Sequence, residues 1–100
     1  MDDGTSDVER YLVVDGRRWR RSDPLLPADV EARLKHYLGR GRSGVRTAKR
    51  AGDDDAVAAA RHLVQTAKVG LGERGDPWWE QDPATRERRW TAALAELDDH

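Results

Sequence analysis

The small supply of large hydrophobic side chains limits how this chain can fold. Its 100 residues include 9 Leu, 8 Val, 4 Trp and 2 Tyr, and no Phe, Ile or Cys. A chain of this length buries only about 60–65% of the surface that it exposes when unfolded. We therefore expect nearly all 23 of these side chains to be used in a core. The lack of Cys excludes a disulfide framework, a thiolate metal cluster and a thiolate nucleophile.

An Asp-Gly pair between two β-prone runs predicts a β-hairpin over residues 10–21. The pair is Asp15-Gly16, and glycine tolerates the positive φ that a two-residue turn needs. This turn sets Leu12 opposite Trp19, so the side chains alternate between two faces. One face carries Leu12, Val14 and Trp19, and the other carries Tyr11, Val13, Arg18 and Arg20. We expect the first face to pack inward, because a lone hairpin is marginal in water.

Apolar residues at helical spacing predict three helices after the hairpin. They cover about residues 27–50, about 54–71 and about 83–98, with a tryptophan-containing loop at 72–82. Gly39, Gly41 and Gly44 interrupt the first of these helices, and two shorter helices are the alternative. Residues 1–9 show no periodicity and are predicted to be a disordered acidic tail that precedes a single domain over residues 10–100.

These elements predict a mostly α (α+β) fold. In this fold the N-terminal β-hairpin packs on a long antiparallel helical hairpin plus a C-terminal helix. Arg86 lies on the apolar face of the last helix, where its stem covers the stripe around Trp90 or its guanidinium pairs with Asp82. The acidic start is not a signal peptide, and the longest apolar run is far shorter than a membrane span. We therefore expect a soluble, cytoplasmic protein.

Positive charge is concentrated in one third of the chain. Residues 17–50 hold eleven Lys and Arg against three acids, although the whole chain has a net charge of −1. This segment indicates either a solvated face neutralised by acids elsewhere or a ridge that binds phosphates. The residues predicted to bind nucleic acid in the second case are Arg17, Arg20, Arg42, Arg46 and Lys49.

No motif in the chain predicts an enzyme, a cofactor or a metal. The stretch 70–75 matches the GxGxxG spacing of dinucleotide-binding loops, but it follows a predicted helix instead of a strand, so we interpret it as a helix end and a turn. His36, His62 and His100 lack the spacing of metal ligands. We expect no catalytic residues, no cofactor and no metal.

The leading hypothesis for function is a non-enzymatic cytoplasmic module that binds another macromolecule, most simply a protein, or itself as a homodimer. Its predicted contact residues are Tyr11, Arg18, Arg20, Trp78 and Trp79, since aromatic and Arg side chains are favoured at interfaces. The alternatives are nucleic-acid binding through the basic segment 17–50 and a small enzyme with a pocket between the hairpin and the helices.

Two segments carry a resemblance to a known family. They are residues 15–20 (Asp-Gly-Arg-Arg-Trp-Arg), which lead to Asp23-Pro24 and Pro27, and residues 67–79 (Ala-Lys-Val-Gly-Leu-Gly-Glu-Arg-Gly-Asp-Pro-Trp-Trp). Together they resemble a family of small proteins from GC-rich bacteria, some of which are labelled "biopolymer transporter Tol". The resemblance covers most of residues 10–80 and implies no activity and no functional residues. The family runs alanine through the long helix, where this chain has glycines.

Overall fold

The structure, a computed structural model, describes residues 7–99 as a β-hairpin followed by three long helices. A short helical turn, α1 (Asp7–Arg10), precedes the strands β1 (Tyr11–Val14) and β2 (Arg17–Arg20). The long helices are α2 (Ala28–Ala51), α3 (Asp54–Leu71) and α4 (Pro83–Asp98), and a 3₁₀ turn (Trp78–Glu80) precedes α4. The predicted mostly α (α+β) fold with its N-terminal hairpin is therefore confirmed.

The α1 turn differs from the disordered tail that was predicted through residue 9. Arg21 stabilises this turn, because its Nε donates to the carbonyl oxygens of Val8, at 2.9 Å, and Tyr11, at 3.2 Å. Residues 1–6 of the predicted tail lie outside the described residues.

The helix α2 continues through its three glycines as one element. A Cβ on Gly41 would lie 2.8 Å from Val64 Cγ2 and 3.1 Å from the Val64 backbone nitrogen, so this position brings α2 close to α3. A Cβ on Gly39 would have no neighbouring atom within 4 Å. Gly41 therefore allows α2 and α3 to pack closely, whereas the sequence predicted only that it interrupts the helix.

Capping residues mark where the helices end and start. Gly52 ends α2 in the left-handed conformation, and the Asp53 carboxylate caps α3 by accepting from the Ala56 backbone N–H at 3.0 Å. Gly72 ends α3 in the same way, with φ 85°. The GxGxxG match thus contains a helix C-cap, because its second glycine ends a helix instead of opening one.

The core lies where α2, α3 and α4 pack together. Leu34 and Leu38 of α2 meet Ala67 and Leu71 of α3. The predicted stripe of α4 completes this cluster with Trp90, Ala93, Leu94 and Leu97, and Leu26 joins it from the connector. Burial of these apolar side chains is the main stabilising contribution in a domain of this size.

The hairpin has the predicted register but not the predicted burial. Leu12 pairs with Trp19 and Val14 with Arg17. Leu12, Val14 and Trp19 are nevertheless 43%, 46% and 40% exposed. The prediction that this face packs into the core is wrong, because the core is formed by side chains of α2, α3 and α4 together with Leu26 of the connector.

A buried carboxylate joins the hairpin to the helices. Asp23 is fully buried in the connector after β2. Its Oδ2 accepts from Arg86 Nε at 2.9 Å and from an Arg89 terminal nitrogen at 2.7 Å, and Arg86 also bonds to Oδ1. The Leu25 backbone N–H donates to Oδ1 at 2.8 Å. Arg86 therefore pairs with Asp23 and not with Asp82, which was one of the two alternatives for this residue.

Two opposing effects act on the pKa of Asp23. Burial raises this pKa, since it penalises the charged carboxylate, but the hydrogen bonds from Arg86, Arg89 and the Leu25 N–H outweigh burial. The pKa of Asp23 is lowered from its ordinary value of 3.8. Asp23 is therefore an anion at neutral pH, and its carboxylate is bonded to two guanidinium groups.

We expect Asp23→Asn to lower the free energy of unfolding at neutral pH by about 3–5 kcal/mol, because it leaves two largely buried guanidinium groups without their anion. A folded-state pKa below 3.8 makes this contribution complete above pH 3.8 and lost as the pH falls through the folded-state value. Chemical denaturation at neutral and acidic pH measures both effects. A loss of the same size in Asp76→Asn, a change at an exposed residue, would contradict this account.

The two glycines of α2 give a matched pair of alanine substitutions. Gly39→Ala should raise the free energy of unfolding by up to about 1 kcal/mol, because it meets open space and favours the helix. Gly41→Ala should lower it by about 1–3 kcal/mol, because the new methyl group meets the α3 backbone. Thermal denaturation measures both, and effects of the same sign would rule out close packing at Gly41.

Candidate functional site

A groove lies between the hairpin and the α2–α3 pair. Its volume is about 610 Å³. The apolar wall of the groove is the hairpin face that was expected to be in the core, and the opposite wall carries charged side chains. The groove is lined by Leu12, Val14, Trp19, Arg20, Arg21, Ser22, Glu31, Lys35, Arg42, Lys68 and Glu73.

The groove stays open because the hairpin is anchored through its other face. The Tyr11 and Trp79 rings meet edge to face with centroids 5.5 Å apart. The Arg18 guanidinium carbon lies 3.9 Å from the Tyr11 ring centroid, and that of Arg20 lies 5.6 Å from the Trp79 centroid. Arg20 also donates to the Gly75 carbonyl oxygen at 2.8 Å. These contacts fix the hairpin to the 72–82 loop and leave its groove face uncovered.

The two adjacent tryptophans have different environments. Trp78 is 2% exposed, and its Nε1 donates to the Arg21 carbonyl oxygen at 3.0 Å. Trp79 is half-buried among the side chains of the hairpin face that contacts the 72–82 loop. Trp78 is thus inaccessible to a partner, against its expected role as a contact residue. Tyr11, Arg18, Arg20 and Trp79 lie together, as expected, but they contact one another.

Lys68 lines the groove with most of its side chain buried and its ammonium nitrogen open to the groove. The residue is 8% exposed, and its Nζ lies 5.4 Å from the Trp19 ring centroid. Among residues 7–99 the Nζ has no hydrogen-bond partner and no carboxylate within salt-bridge distance. Lysines of which so little is exposed are normally paired, so this one is unusual.

The environment of Lys68 disfavours its charged form. Burial lowers the pKa of Lys68, and the positive charges of Arg74 and Arg42 lower it further, while Glu73 acts in the opposite direction. A depressed lysine pKa in a cleft is a frequent property of functional sites.

The carboxylates of the groove are engaged with other residues. Glu31 accepts from Lys35 Nζ at 2.9 Å, and Glu73 accepts from Ser22 Oγ at 2.8 Å. Neither carboxylate pairs with Lys68, and the cations that line the groove, Arg20, Arg21, Lys35, Arg42 and Lys68, outnumber Glu31 and Glu73.

A second hollow extends the positive surface along the same two helices. Its volume is about 840 Å³, and Arg42 lines both it and the groove. Arg46, Arg61 and Arg74 also line it. Within the part of the chain that the structure describes, Arg42, Arg46 and Arg61 form no ion pair. We call this second region the basic hollow.

The residues predicted to bind nucleic acid are only partly brought together. Arg42 and Arg46 share the basic hollow. The Arg17 guanidinium carbon lies 4.6 Å from the Trp19 ring centroid, near the groove. Arg20 is turned towards Trp79, and Lys49 lines neither the groove nor the basic hollow.

The sequence did not predict Lys68, Arg61 and Arg74 as site residues. A signal for Lys68 was present, because it lies one turn from the apolar residues Val64 and Leu71 and thus borders the buried side of α3. Arg61 and Arg74 carry no such signal, because exposed cations are common on helices and loops.

Residues 7–99 present neither a group of metal ligands nor a membrane-spanning helix. No group of three or more His, Asp or Glu side chains there is arranged to hold a metal ion. No helix in the same range has the length and hydropathy needed to cross a membrane.

We expect Lys68→Met to raise the free energy of unfolding by up to about 1 kcal/mol, because it replaces a cation whose charged form its surroundings disfavour with an apolar side chain of similar length. Thermal denaturation measures this as a higher Tm. Lys35→Met is the control, since Lys35 is exposed and paired, and its effect should stay within about 0.5 kcal/mol. A lower Tm for Lys68→Met would mean that the ammonium is stabilised in the free protein.

Comparison with known proteins assigns no family to this chain. No family model, no curated protein and no solved structure matches this chain. The resemblance to the family labelled "biopolymer transporter Tol" therefore stays a prediction. Function has to be inferred from the groove and its charges.

Proposed function

We propose that this protein is a non-enzymatic binding module that takes a segment of a protein partner into the groove. The partner segment carries apolar side chains for the hairpin wall and acidic side chains for the cations of α2 and α3. We place this activity in the cytoplasm, as the sequence predicts.

The exposed apolar surface of the hairpin carries this proposal. Among residues 7–99 the exposed large hydrophobic side chains all fall between residues 8 and 25, and they are Val8, Leu12, Val13, Val14, Trp19 and Leu25. Contiguous exposed apolar surface is a property of protein-binding sites. Three of the six line the groove, where they form one wall of a concave surface.

The charge of the groove specifies the partner further. Lys68 and Arg42 lie opposite the apolar wall without an ion-pair partner among the described residues. Complementary charge raises the rate of association and fixes the orientation of the bound segment. An acidic segment with apolar side chains therefore suits both walls.

Nucleic-acid binding is the second candidate, and the basic hollow favours it. Its cations Arg42, Arg46 and Arg61 are exposed and free of ion pairs in the described part of the chain. Phosphate contacts made by such a row would give binding that weakens steeply with salt. The apolar wall of the groove has no role in this alternative.

A displayed library of random peptides, selected on the full chain, tests the proposal. We expect the selected sequences to place Asp or Glu next to Leu, Val or aromatic residues, and their affinity to fall only moderately with added salt. The same chain is titrated with a random-sequence single-stranded oligonucleotide. Oligonucleotide binding with a steep salt dependence, and no selected peptide, would favour the second candidate.

Two valines of β1 identify the face that binds. Val14→Asp adds a negative charge to the groove and should weaken a selected peptide by about tenfold or more. Val13→Asp makes the same change on the opposite face of the same strand and should leave binding unchanged. Loss of binding in Val13→Asp alone would assign docking to the face of Tyr11, Arg18 and Arg20. Sedimentation over a range of concentrations shows whether a second copy fills the groove.

A further inference from the structure

Lys68 has an environment that lacks an anion. Its residue is more than nine-tenths buried, and its side chain lines the groove. A lysine of which so little is exposed is normally paired with a carboxylate, whereas the ammonium nitrogen of Lys68 is open to the groove. Within residues 7–99 no hydrogen bond or ion pair is formed by Lys68 Nζ.

The two carboxylates that line the groove are not paired with Lys68. Glu73 accepts from Ser22, and Glu31 is paired with Lys35. Glu73 raises the pKa of Lys68, but the charges of Arg74 and Arg42 lower it. The groove is lined by more cations than carboxylates, and this excess of positive charge favours an incoming anion.

The surroundings of Lys68 also restrict the type of anion. The Trp19 ring lies 5.4 Å from Nζ, and Leu12 and Val14 line the same groove. An apolar wall suits an anion with a hydrocarbon group beside it, whereas a phosphate dianion would lose more hydration there. One carboxylate next to an apolar side chain satisfies both the ammonium and the wall.

We propose that Lys68 is the recognition residue for a single carboxylate of the ligand, which enters the groove together with an apolar group that packs on Trp19. This inference rests on the proposed function, and it names the chemical group that the groove selects. Arg42 and Arg74 contribute attraction at longer range, and Lys68 makes the direct contact.

The lysines of this chain allow a direct test, since there are three, at positions 35, 49 and 68. A sample with ¹³C,¹⁵N-labelled lysine is titrated with hexanoate, which combines a carboxylate with an apolar tail. We expect the Lys68 signals to shift, and the pKa of Lys68 to rise by about one unit at saturation, because the anion stabilises the ammonium. The Lys49 signals should not change, as Lys49 lies outside the groove.

Two other probes separate the chemical contributions. Hexanol keeps the tail without the charge and should leave the Lys68 pKa unchanged. Hexyl phosphate should bind more weakly than hexanoate, and tighter binding of hexyl phosphate would overturn the choice of a carboxylate. No shift of the Lys68 signals with hexanoate, or an equal shift at Lys49, would overturn the inference.

The selected peptides distinguish failure of this inference from failure of the proposed function. Lys68→Met should weaken them by about tenfold or more, and Arg50→Met, a change of an exposed cation outside the groove, should alter affinity by less than about twofold. Peptides that bind Lys68→Met as well as the natural chain would refute the role of Lys68 and leave the proposed function intact. A hexanoate response without any selected peptide would refute the proposed function and leave the carboxylate site intact.

Discussion

The buried carboxylate of Asp23 is the interaction on which the arrangement of the other elements depends. It lies between the hairpin and α2, and it accepts hydrogen bonds from two arginines of α4. The Asp23 backbone N–H also donates to the Leu71 carbonyl oxygen at the end of α3, at 2.8 Å. One residue thus fixes the exit of the hairpin relative to two helices. A Cβ on Gly72 would lie 3.1 Å from Asp23 Cβ, so glycine is needed there as well.

This junction determines the position of the groove. Trp78 fills the space beside Asp23 and bonds to the Arg21 carbonyl oxygen. Trp79, the next residue, packs on Tyr11 and anchors the outer face of the hairpin. The hairpin is therefore held at its base and along one face. Its second face projects over α2 and α3 without touching the core, which creates a concave surface with one apolar wall.

The charges of the chain are separated in space, although their sum is close to zero. Acids of α4 pair with side chains of α2 and α3, as in the contacts of Asp98 with Arg33 and of Glu96 with His62. Asp98 of α4 therefore neutralises Arg33 on α2, and Glu96 engages the ring of His62 on α3. Arg42 and Lys68 lie in the groove, where the local carboxylates bond to other residues. Unpaired cations and exposed apolar side chains both reduce stability, and such features tend to be concentrated at functional surfaces.

Turns, helix ends and helix faces depend on residues that are close together in the chain, and the sequence alone predicts them. The Asp15-Gly16 turn fixed the strand register, Asp53 and Gly72 marked helix ends, and the apolar spacing of α4 identified its buried stripe. Tertiary structure alone decided which hairpin face is exposed and which anion Arg86 binds. Asp23 and Arg86 are 63 residues apart, and no local pattern encodes a contact at that distance. Lys68 belongs to the same class, because Trp19, the hairpin residue that it meets, is distant from it in the chain.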